Sequence, residues 1–116
     1  VKAVVVYSGA ELPEYFNYSF TPGSPPLLAT QGTADRINLP AEPDAFFKAA
    51  APPKYLLWLE GAGHLEPYSS LEPDLSIVGR TTVCFLRLYL DHHGCTAARL
   101  LAGAEVAGVS RVEGRP

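Results

Sequence analysis

The sequence predicts an α/β fold of about three parallel strands with packed helices. Three observations carry that expectation. Short apolar runs recur without polar alternation, the pattern of strands covered on both faces. Segments with helical spacing of apolar residues lie between and after these runs. Each of two such runs ends in a glycine-containing loop that presents one acid–base side chain, Asp35 in one and His64 in the other.

The first run is Lys2–Tyr7, one lysine followed by Ala, Val and Tyr, and Ser8-Gly9 ends it. Residues 11–26 then carry four prolines, one glycine and the aromatics Tyr15, Phe16, Tyr18 and Phe20. The prolines forbid a regular helix there, so the aromatics either pin the loop onto the core or line a groove. Asn17-Tyr18-Ser19 matches the glycosylation sequon, a weak signal without evidence of secretion. Leu27–Thr30 is the second strand, and residues 31–38 form the loop bearing Asp35. Glu42–Ala51 reads as a short helix with Pro40 and Pro43 around its start, Pro52-Pro53 at its stop, and Phe46, Phe47, Ala50 and Ala51 near one face. Lys54–Leu59 is the third strand and residues 60–70 the His64 loop. Ile77–Asp91 spaces Ile77, Val78, Thr81, Thr82, Phe85, Leu88 and Tyr89 as one face of a helix that closes near His92-His93-Gly94. Residues 96–102 suggest a further turn or two of helix, and the tail 103–116 reads as frayed.

Composition bounds the function. The chain has 116 residues, 47% hydrophobic and 18% charged, which describes one small globular domain with a modest core. A net charge of -3 with scattered Lys and Arg offers no basic stripe for nucleic acid. No run approaches the roughly 18 apolar residues of a membrane span, and the first residues show no signal-peptide pattern. The chain begins within a strand and without methionine, which reads as a piece of something longer. Cys84 and Cys95 are too few for a disulfide scaffold; a chain reversal after the long helix could bring them together, or they are packed or free thiols.

The chemistry rests on the pair Asp35 and His64. A histidine acting as general base needs its far nitrogen held by an acceptor, usually a carboxylate. In open α/β sheets, ligands bind at the carboxyl ends of the strands, and both residues follow strands directly. Gly61 and Gly63 let the histidine loop approach the acid. Taken alone, Asp35 is a turn-forming aspartate and His64 a surface histidine; the matched placement favours a functional pair. Asp44 at a helix start and Asp91 at a helix end suit the acid role less well. His92 and His93 read as helix-end caps. Ser8 lacks the G-x-S-x-G turn that exposes a nucleophile. No ligand spacing for a metal is present, and the reading calls for no metal and no cofactor.

These residues carry a family resemblance. V-K-A-V-V-V-Y-S-G, P-P-L-L-A-T-Q-G-T-A-D-R-I, Y-L-L-W-L-E-G-A-G-H-L-E-P and T-V-C-F-L-R-L-Y-L-D, spanning Val1–Asp91, resemble the last third of the α/β-hydrolase fold. More narrowly, they are similar to cutinase-like and dienelactone-hydrolase-like esterases. The resemblance implies a serine ester hydrolase whose triad acid is Asp35 and whose base is His64, with Ile37 and Leu65 along the acyl cleft. Ala10 stands near where cutinase-like members often carry an aromatic residue. The family's nucleophile elbow, oxyanion-hole donors and first strands are missing from this sequence, so the sheet is expected to be incomplete. The strand Lys2–Tyr7 would then be an open edge that pairs with the missing N-terminal half or with a second copy. A reading from a different class makes the chain a non-catalytic half-domain that binds or dimerises through that edge.

Overall fold

The computed structural model describes residues 1–12, 14–15 and 19–116. Phe16, Tyr18 and the sequon asparagine Asn17 lie outside the described residues. The fold is a four-stranded mixed sheet with three helices. Its elements are β1 (Val4–Tyr7), β2 (Leu27–Gly32), α1 (Ala41–Ala49), β3 (Lys54–Leu59), α2 (Asp74–Leu86), α3 (Ala97–Ala104) and β4 (Ser110–Arg115). The sheet order is β1-β2-β3-β4. β1 and β2 run parallel in register Val4 with Leu27, β2 and β3 run parallel with Leu27 opposite Lys54, and β4 runs antiparallel to β3.

Alternation along the strands explains the layering, because successive side chains point to opposite faces. Leu27, Ala29, Leu56 and Trp58 point to one face, where Phe46, Phe47 and Ala50 of α1 and its end cover them together with Phe20. Leu28 and Tyr55 point to the other, against Phe85 of α2 and Leu100 of α3. Leu57 and Leu59 continue that face against Ile77, Val78 and Ala104. Every residue of β2 is buried, so its continuous apolar character is that of a strand with helices on both sides. β1 is only half-buried and pairs with β2 alone among the described residues, leaving its other backbone edge open.

Two expectations are corrected. The tail 103–116 is not frayed: Ala104 closes α3, and residues 110–115 form β4 on the far edge of the sheet. The strand is held by few apolar groups, which is why hydropathy misses it. Val112 packs into the core, Arg111 lies over the Trp58 ring at 5.0 Å, and Glu113 accepts from Trp58 Nε1 at 2.9 Å. The Ser110 hydroxyl donates to the Ala104 carbonyl at 2.7 Å. The sheet is therefore mixed, with a fourth strand beyond the three parallel ones. The long helix also starts earlier than its apolar spacing suggests, at Asp74, and its last turn, residues 87–91, widens to π geometry before His92 ends it at φ 56°. Cys84 and Cys95 form a disulfide, tying α2 to the segment leading into α3.

Candidate active site

Asp35 and His64 meet at the carboxyl ends of β2 and β3. Loop backbone brings them there. Past the last paired residues, Thr33 N–H still donates to the Leu59 carbonyl at 3.0 Å, and Ala34 N–H to the Ala62 carbonyl at 3.0 Å. Gly61, at φ 72°, turns the histidine loop and donates to Thr33 Oγ1 at 2.8 Å. Gly32 makes the approach possible: a Cβ there would collide with the carbonyl oxygens of Ala62 and Gly63.

The Asp35 carboxylate is fully enclosed, whereas the His64 side chain is 26% exposed. Oδ1 accepts from the backbone N–H groups of Ile37 and Asn38, both at 2.9 Å. Oδ2 accepts from Gln31 Nε2 at 3.2 Å and pairs with His64 Nδ1 at 2.9 Å. Burial is the strongest single influence on this carboxyl and pushes its pKa up. The hydrogen bond from His64, those from the Asn38 and Ile37 N–H groups, and the His64 charge together outweigh it and hold Asp35 below its ordinary value. An ionised carboxylate only accepts hydrogen bonds, so Nδ1 of a neutral His64 carries the proton and Nε2 the lone pair. Among the described residues Nε2 has no hydrogen-bond partner. The arrangement is a base with its far nitrogen anchored and its near nitrogen open.

The supporting shell contains residues that sequence reasoning passed over. Gln31 is wholly buried, and its amide also donates to the Asn38 carbonyl at 2.8 Å while accepting from Asn38 Nδ2 at 3.1 Å. Asn38 Nδ2 reaches the Gly9 carbonyl at 2.9 Å, tying the acid loop to the end of β1. The signal in the sequence was a lone amide at the end of an apolar run, which a buried strand does not tolerate without partners. Tyr68 forms the second tether. Its hydroxyl accepts from Ser8 Oγ at 2.9 Å and Thr30 Oγ1 at 3.0 Å, and its ring stacks on Tyr7 at 5.0 Å. Burial raises the Tyr68 phenol above its ordinary pKa, offset in part by the Ser8 and Thr30 bonds. Ser8 is thus occupied at the strand end, buried and at φ 44°.

Ile37 and Leu65, placed by resemblance along an acyl cleft, are 77% and 65% exposed. Ile37 lines an open groove of about 370 Å³ with Leu39, Leu12, Ala10 and Tyr15, and three glutamates (Glu11, Glu14 and Glu42) rim it. Leu65 lies on the histidine loop, outside that groove. Among the described residues no cluster of three or more His, Cys, Asp or Glu could hold a metal ion, and no helix is long and apolar enough to cross a membrane. No protein-family model matches this chain, and no curated protein sequence matches it.

Proposed function

We propose that this chain is the C-terminal part of an α/β-hydrolase, similar to cutinase-like and dienelactone-hydrolase-like esterases, and supplies the acid and base of its Ser-His-Asp triad. The observation that carries the reading is the 2.9 Å contact between His64 Nδ1 and a buried Asp35 carboxylate, with Nε2 left free. A serine hydroxyl from outside these residues transfers its proton to Nε2 as it attacks the ester carbonyl. Asp35 stabilises the imidazolium that results, and His64 returns the proton to the leaving alcohol. The exposed Ile37 and Leu65 favour a neutral ester with an apolar acyl group, and the glutamates around the adjoining groove disfavour an anionic one. Among the described residues no hydroxyl bonds His64 Nε2, and the sequence holds no G-x-S-x-G turn; with oxyanion donors each worth a factor of about 10²–10³, this reading expects no ester turnover from the chain alone. The coding sequence upstream of Val1 is searched for G-x-S-x-G: where it is present, the complete polypeptide should cleave short-chain p-nitrophenyl esters and lose that activity in His64→Ala, and its absence favours the binding reading below. Activity unchanged in the variant refutes the assignment.

A second reading is favoured by the open edge of β1, where Val4, Val5 and Val6 are half-buried and paired on one side. There the chain is a non-catalytic half-domain that dimerises strand to strand. Light scattering after size exclusion separates the two: a stable, inactive dimer broken by Val4→Glu supports pairing through β1, and a folded monomer counts against it.

A further inference from the structure

We propose that the groove between α2 and α3, on a different part of the molecule from the Asp35–His64 pair, binds a phosphate- or sulfate-type oxyanion. Arg80 and Arg87 lie seven residues apart on α2 and its last turn, close to two helical turns and so on one face. Arg99 on α3 stands opposite, and the Cys84–Cys95 disulfide forms the floor between them. The outer part of the groove encloses about 340 Å³, and a contiguous inner part, sharing Arg80 and Arg99, about 170 Å³. No aspartate or glutamate lines either part.

The charge gathered here points to an anion as its partner. The ion pairs among the described residues lie at Lys48–Asp44, His64–Asp35 and around Arg111, and none involves Arg80, Arg87 or Arg99. Three like charges are thus gathered without a counter-charge on a chain whose net charge is -3. Arg80 uses Nε on the Gly103 carbonyl at 2.8 Å, which orients its guanidinium and leaves the terminal amino groups to donate. A carboxylate is satisfied by one guanidinium fork, whereas three forks suit a tetrahedral group with three or more oxygens to share.

The full chain is titrated with inorganic phosphate at low salt and followed by backbone and arginine side-chain amide shifts. Saturable shifts at Arg80, Arg87 and Arg99 are expected, weakened by added salt. Arg80→Gln and Arg99→Gln, both at exposed positions that do not threaten folding, should each raise the dissociation constant about tenfold. Non-saturating shifts, or the same affinity in the Arg80→Gln/Arg99→Gln double variant, overturn the proposal. A vesicle arm separates the two sources of such a group. Co-flotation with phosphatidylcholine vesicles carrying phosphatidic acid, and not with phosphatidylcholine alone, assigns a lipid headgroup. Phosphate binding without co-flotation assigns a free phosphate ester.

Discussion

Gly32→Ala is the sharpest probe of how the acid and base are brought together. A methyl at position 32 would fall inside contact distance of the Ala62 and Gly63 carbonyl oxygens and 2.8 Å from the Ala62 carbonyl carbon. Comfortable carbon contacts begin near 3.5 Å, and the obstructing atoms are backbone, which no rotamer change can remove. The two loops must therefore separate by roughly 1 Å, taking His64 Nδ1 and Asp35 Oδ2 from 2.9 Å to a distance at which no hydrogen bond forms. Overpacking of this kind costs about 1–3 kcal/mol. The loop bonds from Ala34 N–H to Ala62 and from Gly61 N–H to Thr33 add about 1 kcal/mol each when lost. A total of about 3–5 kcal/mol is a large share of the stability of a small domain. Urea denaturation measures the loss, and the downfield proton resonance of the His64 Nδ1–H reports the dyad directly. If Gly32→Ala unfolds at the wild-type midpoint and keeps that resonance, the close approach of the two loops does not position the pair.

The other predictions concern the groups around the dyad and the disulfide. Gln31→Leu strips a partner from Asp35 Oδ2, one from the Asn38 backbone carbonyl and one of the two from Asn38 Nδ2, and should cost about 2–4 kcal/mol in denaturant unfolding; an unchanged midpoint would mean the amide network is dispensable. The folded-state pKa of Asp35 is depressed, so its contribution to stability is in place above the ordinary carboxyl value of about 4 and is lost as pH falls through the lower folded value. Asp35→Asn should therefore destabilise the chain at pH 7 and flatten this part of the acid limb, while an acid limb identical to wild type would contradict the shift. Reducing Cys84–Cys95 frees a loop of 11 residues' separation and should lower stability by about 3 kcal/mol on loop entropy. A thermal melt with and without reductant checks this, and no difference would place the stabilisation elsewhere.

Much of the fold is legible because hydropathy and layering are two views of one fact. β3 falls on the apolar run 54–59 end to end, and β2 overshoots its run by two residues, since Gln31 and Gly32 are buried by loop contacts and not by their own polarity. β4 is illegible for the converse reason: S-R-V-E-G-R is held by an indole, an arginine stack and backbone pairing, none of which leaves a periodic apolar trace. At the site, residue type and strand-end position suffice to find Asp35 and His64. The residues that orient them do not share those marks. Gln31 acts through several short-range bonds to Asp35 and Asn38, while Asn38 to Gly9 and Tyr68 to Ser8 and Thr30 are bonds across long sequence gaps, and no apolar periodicity encodes either kind of contact.

The lacing of the two loops has a consequence for how such a centre could be inherited. The bonds on the Asp35 carboxylate and on His64 Nδ1 all come from one uninterrupted stretch between Gln31 and His64; Asn38 within it and Tyr68 just beyond it moor that stretch to the end of the first strand. The acid–base couple is therefore a portable cassette. Grafted whole onto another parallel sheet with two adjacent strands of this register, it carries with it the bonds that align the couple, whereas the histidine loop moved by itself would leave the imidazole without the carboxylate that holds its Nδ1.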